Sequence, residues 1–182
     1  MKASLILSAL LVVIGTSALA GESANVLADL DPGLQQVLVR DAACTRPSAL
    51  SQDDFSRVPV KQEEIRSGGR EAGVIVSPQD TCHCEGENCS TFVYLKSGES
   101  YTLTLQNRFA SLRPMKIVKH GLPSLSGKLQ VSPVQEETTV YDWNGQEYQP
   151  SLCATVVQRK NQRLPSITQH PCGRAARTVA AR

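Results

Sequence analysis

The sequence predicts an α+β domain: an N-terminal helix packed on an antiparallel β-sheet or small sandwich, stabilised by disulfides. Three observations point there. Apolar residues recur at three- and four-residue steps between about Ala24 and Ala43, the spacing of one helix face. From about Val58 the pattern becomes short β-branched and aromatic runs separated by turn residues. The six cysteines form an even set, the arithmetic of paired disulfides.

In the helical segment Asp31 is placed to cap and Pro32 suits the first helical position, where its missing N–H costs nothing. Leu34, Val37, Leu38 and Ala42 make the apolar stripe, widened by Val39. The helix is expected to end near Cys44, because Pro47 biases the residue before it away from helix.

The expected strands are Val58 and Val60, Ala72 to Val76, Thr91 to Leu95, Ser100 to Leu105, Met115 to Val118, Lys128 to Val131, Thr138 to Trp143, and Cys153 to Val157. Between them stand Ser67-Gly68-Gly69, Glu85-Gly86, Ser97-Gly98, Gly121 to Pro123, Ser126-Gly127 and Asn144-Gly145. Asn-Gly is the strongest of these signals. It predicts a two-residue hairpin turn that pairs Val140 to Trp143 with Gln146 to Gln149.

Organisation follows from the flanks. Residues 1–20 read as a secretory signal: Lys2, an apolar run, and Ala18-Leu19-Ala20 before Gly21. The strongly apolar part, Leu5 to Ile14, is shorter than the about 20 residues a membrane span needs, so no stable membrane insertion is expected. Residues 21–57 form the helical segment of one domain, 58–157 its antiparallel β region, and 158–182 a basic, partly disordered tail. The expected location is periplasmic or secreted. With 19 Lys and Arg against 17 Asp and Glu, the net charge of +2 points to neither nucleic acid nor a membrane surface.

The densest chemistry lies in Asp80 to Ser90, DTCHCEGENCS. Cys82, His83, Cys84 and Cys89 have the atoms of a metal site, but C-x-C and C-x4-C do not match thiolate zinc frameworks. Met115 is the only methionine after the signal, which argues against a Met-rich copper site. A redox pair would want C-x-x-C at a helix start, and Gly86 followed by TFVYL is not a helix. No metal and no cofactor are therefore expected. In an oxidising compartment the pattern reads as structural disulfides, with Cys84 and Cys89 the first pair. Closing that short loop restricts the unfolded chain by about 2 kcal/mol. Cys44, Cys82, Cys153 and Cys172 are left with three possible pairings. The closed loop presents Glu85, Glu87 and Asn88 at a reduced ordering cost on binding.

Two family resemblances rest on these residues. The run EAGVIVSPQDTCHCEGENCSTFVYLKSGESYTLTL, with YDWNGQEYQP later, is similar to small exported bacterial proteins related to FG-GAP propeller repeats, which implies an antiparallel β fold. The segment Glu63 to Gly69, EEIRSGG, stands where those repeats carry a calcium loop and lacks its acidic pattern. An exported chain with an N-terminal helix, a β region and a C-x4-C loop also resembles the Ivy family of periplasmic lysozyme inhibitors, through Cys84 and Cys89. In that family a disulfide-closed loop enters the lysozyme cleft; the loop here reads EGEN. SGESY, Ser97 to Tyr101, is similar to the Ser-Gly and Tyr motif of other lysozyme-inhibitor families.

Enzyme readings find little support. The histidines are His83, His120 and His170, and no G-x-S-x-G elbow accompanies them. Glu63-Glu64 and Glu136-Glu137 are adjacent, which on strands sends them to opposite faces. The expected function is an exported, non-enzymatic binding protein, an inhibitor or immunity protein against a cell-wall-degrading enzyme such as lysozyme. Its partner-binding residues would be Glu85, Glu87, Asn88, Ser97 and Tyr101. The alternative is a structural or envelope-associated accessory protein with no enzyme target.

Overall fold

The computed structural model describes residues 25–43, 56–159 and 164–173. The expected signal segment, Cys44 and the tail beyond residue 173 lie outside the described residues. Strand accounts for 65% of the described residues and helix for 10%, in two antiparallel sheets. This corrects the α+β expectation: the fold is mostly β, two sheets with one accessory helix. The strands after residue 110 do not extend the first sheet but build a second one.

The first sheet holds β1 (Asn25–Val26), β2 (Pro59–Ser67), β3 (Arg70–Pro78), β4 (Cys84–Glu85), β5 (Asn88–Ser97) and β6 (Ser100–Phe109). Its order is β1-β2-β3-β5, with β6 on the far side of β5 and β4 pairing the start of β5. The second is a simple meander of β7 (Ser111–Lys119), β8 (Leu122–Ser132), β9 (Gln135–Trp143), β10 (Tyr148–Val157) and β11 (Ser166–His170). Within the basic stretch from Gln158, β11 thus returns to pair with β10, and the Cys153–Cys172 disulfide holds it there.

The helix α1 (Pro32–Asp41) is shorter than the 24–43 pattern. Its start is built as expected: the Asp31 side chain accepts from the Gly33 and Leu34 backbone N–H groups at 2.9 and 3.3 Å, with Pro32 at the first position. Before it the chain makes β1 and a single 3-10 turn, Leu27–Asp29, tied back by the Gln35 amide donating to the Ala28 and Leu30 carbonyls.

Period-two alternation divides the first sheet between two cores. Val60, Val74, Val76, Phe92, Tyr94 and Tyr101 form one cluster with Leu27, Leu30, Leu34 and Leu38. Ile65, Ile75 and Val93 point the other way, into a cluster with Phe109, Leu112, Leu125, Tyr141 and Tyr148 of the sheet junction and second sheet. A Cβ on Gly73 would collide with the Tyr94 carbonyl oxygen, so only glycine lets β3 lie this close to β5.

The chain passes from one sheet to the other at Ala110, whose N–H donates to the Lys128 carbonyl at 2.7 Å. Beside it the Phe109 ring lies on β8 over Gly127, where an added Cβ would sit 2.5 Å from Phe109 Cε1. The same ring meets Tyr141 edge-on, with centroids 5.8 Å apart.

The Asn-Gly hairpin differs from expectation. Trp143 pairs with Tyr148, so the connection has four residues and Gln146 lies in it. Asn144 Oδ1 accepts from the Gln146 and Glu147 N–H groups at 2.8 and 2.9 Å, so the asparagine acts through its side chain rather than in a two-residue turn. The shift is by two residues, so the inward face of β10 is unchanged.

Burial pushes the hydroxyls of Tyr94 and Tyr148 well above the usual tyrosine range and raises that of Tyr141. Nearby Asp41, which accepts from the Tyr94 hydroxyl at 3.1 Å, adds to the rise at Tyr94. Above about pH 10 these groups ionise in the unfolded chain while the folded chain keeps their protons. The associated stability is complete below about pH 10 and is lost as pH rises through the folded-state values. An alkaline titration followed by tyrosinate absorbance and far-UV circular dichroism should show Tyr94 and Tyr148 ionising only together with loss of strand signal. Ionisation of all the tyrosines near pH 10 in a protein with intact strand signal would contradict it.

Candidate functional site

Asp80 organises the local fold of DTCHCEGENCS. Its Oδ1 accepts from the backbone N–H groups of Cys82 and His83 at 2.9 and 2.8 Å, and its carbonyl from Cys84 N–H at 2.9 Å, which closes a tight turn. The chain then runs out as β4, reverses at Glu85-Gly86-Glu87-Asn88, and returns as β5 with Cys84 opposite Cys89. Those two cysteines form the expected disulfide. Cys82 is disulfide-bonded as well, and not to Cys84. These sulfurs are thus engaged in covalent bonds rather than available as thiolates.

His83 is buried beneath this turn. Its Nδ1 faces the Asp80 carboxylate at 2.7 and 2.8 Å, and its Nε2–H donates to the Ala42 carbonyl at the end of α1, 2.7 Å away. An imidazole oriented by a carboxylate is a frequent arrangement for a general base, but that role needs the far nitrogen to reach a substrate. Here a helix-terminal carbonyl occupies it. His83 therefore ties the turn to the helix and satisfies one of the helix's unpaired carbonyls.

The presented residues divide by role. Asn88 is half-buried and spans the two sheets: its Nδ2 donates to the Gln130 carbonyl, and its Oδ1 accepts from Gln130 N–H, both at 2.8 Å. Both ends of the amide are thereby used within the fold. Glu85 accepts from Arg108 Nη1 at 2.6 Å in an exposed pair, which contributes little to stability. Glu87 is exposed and makes no ion pair among the described residues. It faces a groove of about 170 Å³ at the mouth of the sandwich. Ile75, Phe109 and Leu112 line its apolar part, and Lys61, Gln79 and Arg113 its polar edge. The groove continues along the stapled hairpin past Asp80, Thr81 and Gly86.

Ser97 and Tyr101 lie elsewhere. They flank the β5–β6 turn, at the opposite end of β5 from Cys89. A ten-residue strand places them roughly 30 Å from the stapled turn. Tyr101 is buried in the helix-side core, with the Lys96 ammonium 5.5 Å from its ring centroid. The structure does not bring this pair into one surface with Glu85, Glu87 and Asn88.

Lys61, Gln79 and Arg113 were not marked by the sequence. Lys61 and Arg113 are separated by 52 positions and meet only because β2 and β7 border the same mouth. His170, on β11, has Nε2 3.3 Å from Thr155 Oγ1, and Glu137 Oε1 is 3.5 Å from the same hydroxyl; at these lengths the three form a cross-strand polar row beside Cys153. His120 is exposed at the β7–β8 turn with φ 48°.

Asn88→Ala should cost about 1–3 kcal/mol, because it leaves the Gln130 N–H and carbonyl without their partner. Asn88→Asp retains the acceptor, loses the donor and sets a carboxylate against a carbonyl, so it should fall at least as far. Urea unfolding of both variants, with the disulfides intact, checks this. A midpoint equal to the parent in Asn88→Ala would show that the bridge contributes nothing.

No protein-family model, curated protein or solved structure matches this chain.

Proposed function

We propose that the chain is an exported binding protein that engages a protein partner through the stapled Cys84–Cys89 hairpin and the adjoining groove. The partner class is an enzyme that degrades the cell wall, and the outcome of binding is inhibition. One observation carries the reading. The hairpin is closed by a disulfide and tied to the second sheet through Asn88 and Gln130, while its Glu87 carboxylate has no ion pair among the described residues.

Physical chemistry favours recognition over a purely structural role. Little conformational freedom remains to be lost when such a tip meets a cleft. Glu87 offers a charge to a cationic group, while Lys61 and Arg113 across the groove offer the opposite sign. A partner with carboxylates and cations around a cleft is complementary to that arrangement. The resemblance of the C-x4-C loop to the Ivy inhibitors agrees with this choice of target. The contact rests on the hairpin and groove alone, since Ser97 and Tyr101 are at the other end of the sandwich.

The test is a panel of muramidases and amidases assayed on peptidoglycan with the oxidised protein at micromolar excess. At least one activity should fall, and Glu87→Lys should relieve the inhibition roughly tenfold or more, since it reverses a charge at a desolvated contact. If the whole panel is unaffected, the inhibitor reading fails. Recovery of envelope structural components alone in a pull-down would then favour an accessory role.

A further inference from the structure

The opposite end of the sandwich has a different character. Two hairpin tips lie side by side there: β2–β3, with Arg66, Ser67 and Arg70, and β7–β8, with Lys116 to Gly121. The Ser67 hydroxyl donates to the Gly121 carbonyl and joins them. Arg66 pairs with Glu64 at 2.6 Å, and Glu71 pairs with Lys96 at 3.4 Å. Arg70, Lys116 and Lys119 have no carboxylate partner among the described residues. The other acidic residues at this end are Asp142, whose carboxylate accepts from the Ser124 hydroxyl at 2.6 Å, and Glu99 and Glu147 of the β5–β6 and β9–β10 turns.

Beside these unpaired cations, Ile117 and Val118 are 52% and 61% exposed. The two stand next to each other at the end of β7, beside the β7–β8 turn. The ladder explains their projection. Pro114 pairs with Leu125 and Val118 with Pro123, so Met115, Lys116 and Ile117 face the single residue Ser124. Such a bulge pushes the strand out of the sheet. A lone exposed aliphatic needs no explanation, but two adjacent β-branched residues at a tip, bracketed by Lys116 and Lys119, form a contact of defined chemistry.

We propose that this end of the sandwich docks peripherally on an anionic lipid bilayer. Ile117 and Val118 enter the headgroup boundary, and Lys116, Lys119 and Arg70 meet the lipid phosphates. The two features require each other. Lysines alone would suit any polyanion, but a soluble polyanion provides no medium for the apolar tip, whereas a bilayer interface accepts both. A tip of this size makes a reversible surface contact, and no helix among the described residues is long and apolar enough to cross a membrane. With the strands running between the two ends, docking would place the stapled hairpin roughly 30 Å from the lipid, facing away from it.

The test is partition of the purified, oxidised protein onto vesicles of phosphatidylcholine alone and of equal parts phosphatidylcholine and phosphatidylglycerol, at low and high salt. All variants carry the same termini, so any contribution from residues 1–20 is common to them. Partition should favour the anionic vesicles roughly tenfold or more and weaken with salt. Lys116→Gln with Lys119→Gln, and separately Ile117→Ser with Val118→Ser, should each lower it roughly tenfold or more. Arg70→Gln, on the other hairpin, should lower it by a smaller factor, and Leu164→Ser, an exposed apolar control, should leave it unchanged. Unaltered melting temperatures keep these results interpretable, and enzyme inhibition should not respond to the tip variants. Equal partition onto both vesicles, or anionic binding that ignores the tip variants, would overturn the proposal. So would binding to soluble polyglutamate that survives Ile117→Ser with Val118→Ser, which would mark a polyanion site instead.

Discussion

The fold depends on β3 and β5 being buried from both sides. Val74, Ile75 and Val76 are all buried, as are Phe92, Val93 and Tyr94 opposite them. In an antiparallel sheet with one wet face, alternate positions would be polar. Here alternate positions feed different cores, one beneath the helix and one against the second sheet. Full burial of side chains of this size contributes about 1.5–3 kcal/mol each, so the central strands hold most of what fixes the remaining parts. The helix covers one face and the second meander the other; removing either would expose half of the same two strands.

A sheet fixed in this way presents its turns at two ends, and polar ties set their positions relative to the second sheet. At one end Asn88 reaches Gln130. At the other Ser67 reaches Gly121. Between them Phe109 lies on Gly127 at the sheet crossing. The ties are local, yet each joins residues from different sheets, so the tips of both ends are held by the sandwich rather than by their own short turns. The stapled hairpin adds a third anchor through Asp80, His83 and the Ala42 carbonyl. Its ordering is therefore shared between the disulfide, the helix terminus and the second sheet.

Much of this was legible in the sequence, and the losses have physical reasons. Asp31 and Pro32 mark the start of α1 because capping is a local matter of one carboxylate and two N–H groups. The Cys84–Cys89 pair was legible because a four-residue turn brings those positions opposite each other. The strands were legible by type, but the class was not. GVIV and TFVY are continuous apolar runs, the signature of strands covered on both faces, and they had to be set against the alternation expected of a half-buried sheet. Asn88 and His83 show the limit of side-chain chemistry read along a chain. An amide in an acidic turn and an imidazole between cysteines suggest recognition and ligation; partners 42 and 41 positions away make them structural. Nothing local announces Gln130 or Ala42.

Net charge illustrates the same limit on a larger scale. A formal +2 over 182 residues argues against an electrostatic surface only if charges are spread evenly. Folding gathers them instead into ion pairs and small unpaired groups. Arg70 and Lys119 are 49 positions apart in the chain, yet the Ser67–Gly121 bond puts their hairpins side by side, while Glu85 and Glu87 are carried to the other end of the same strands. Screening confines each group's influence to about 8–10 Å, far less than the length of the sandwich, so a local group of unpaired charges acts with its own sign rather than with the sum. A composition close to neutral is therefore compatible with small unpaired groups of one sign, such as Arg70, Lys116 and Lys119 on the paired hairpin tips, while Arg66 and Lys96 nearby are matched by Glu64 and Glu71.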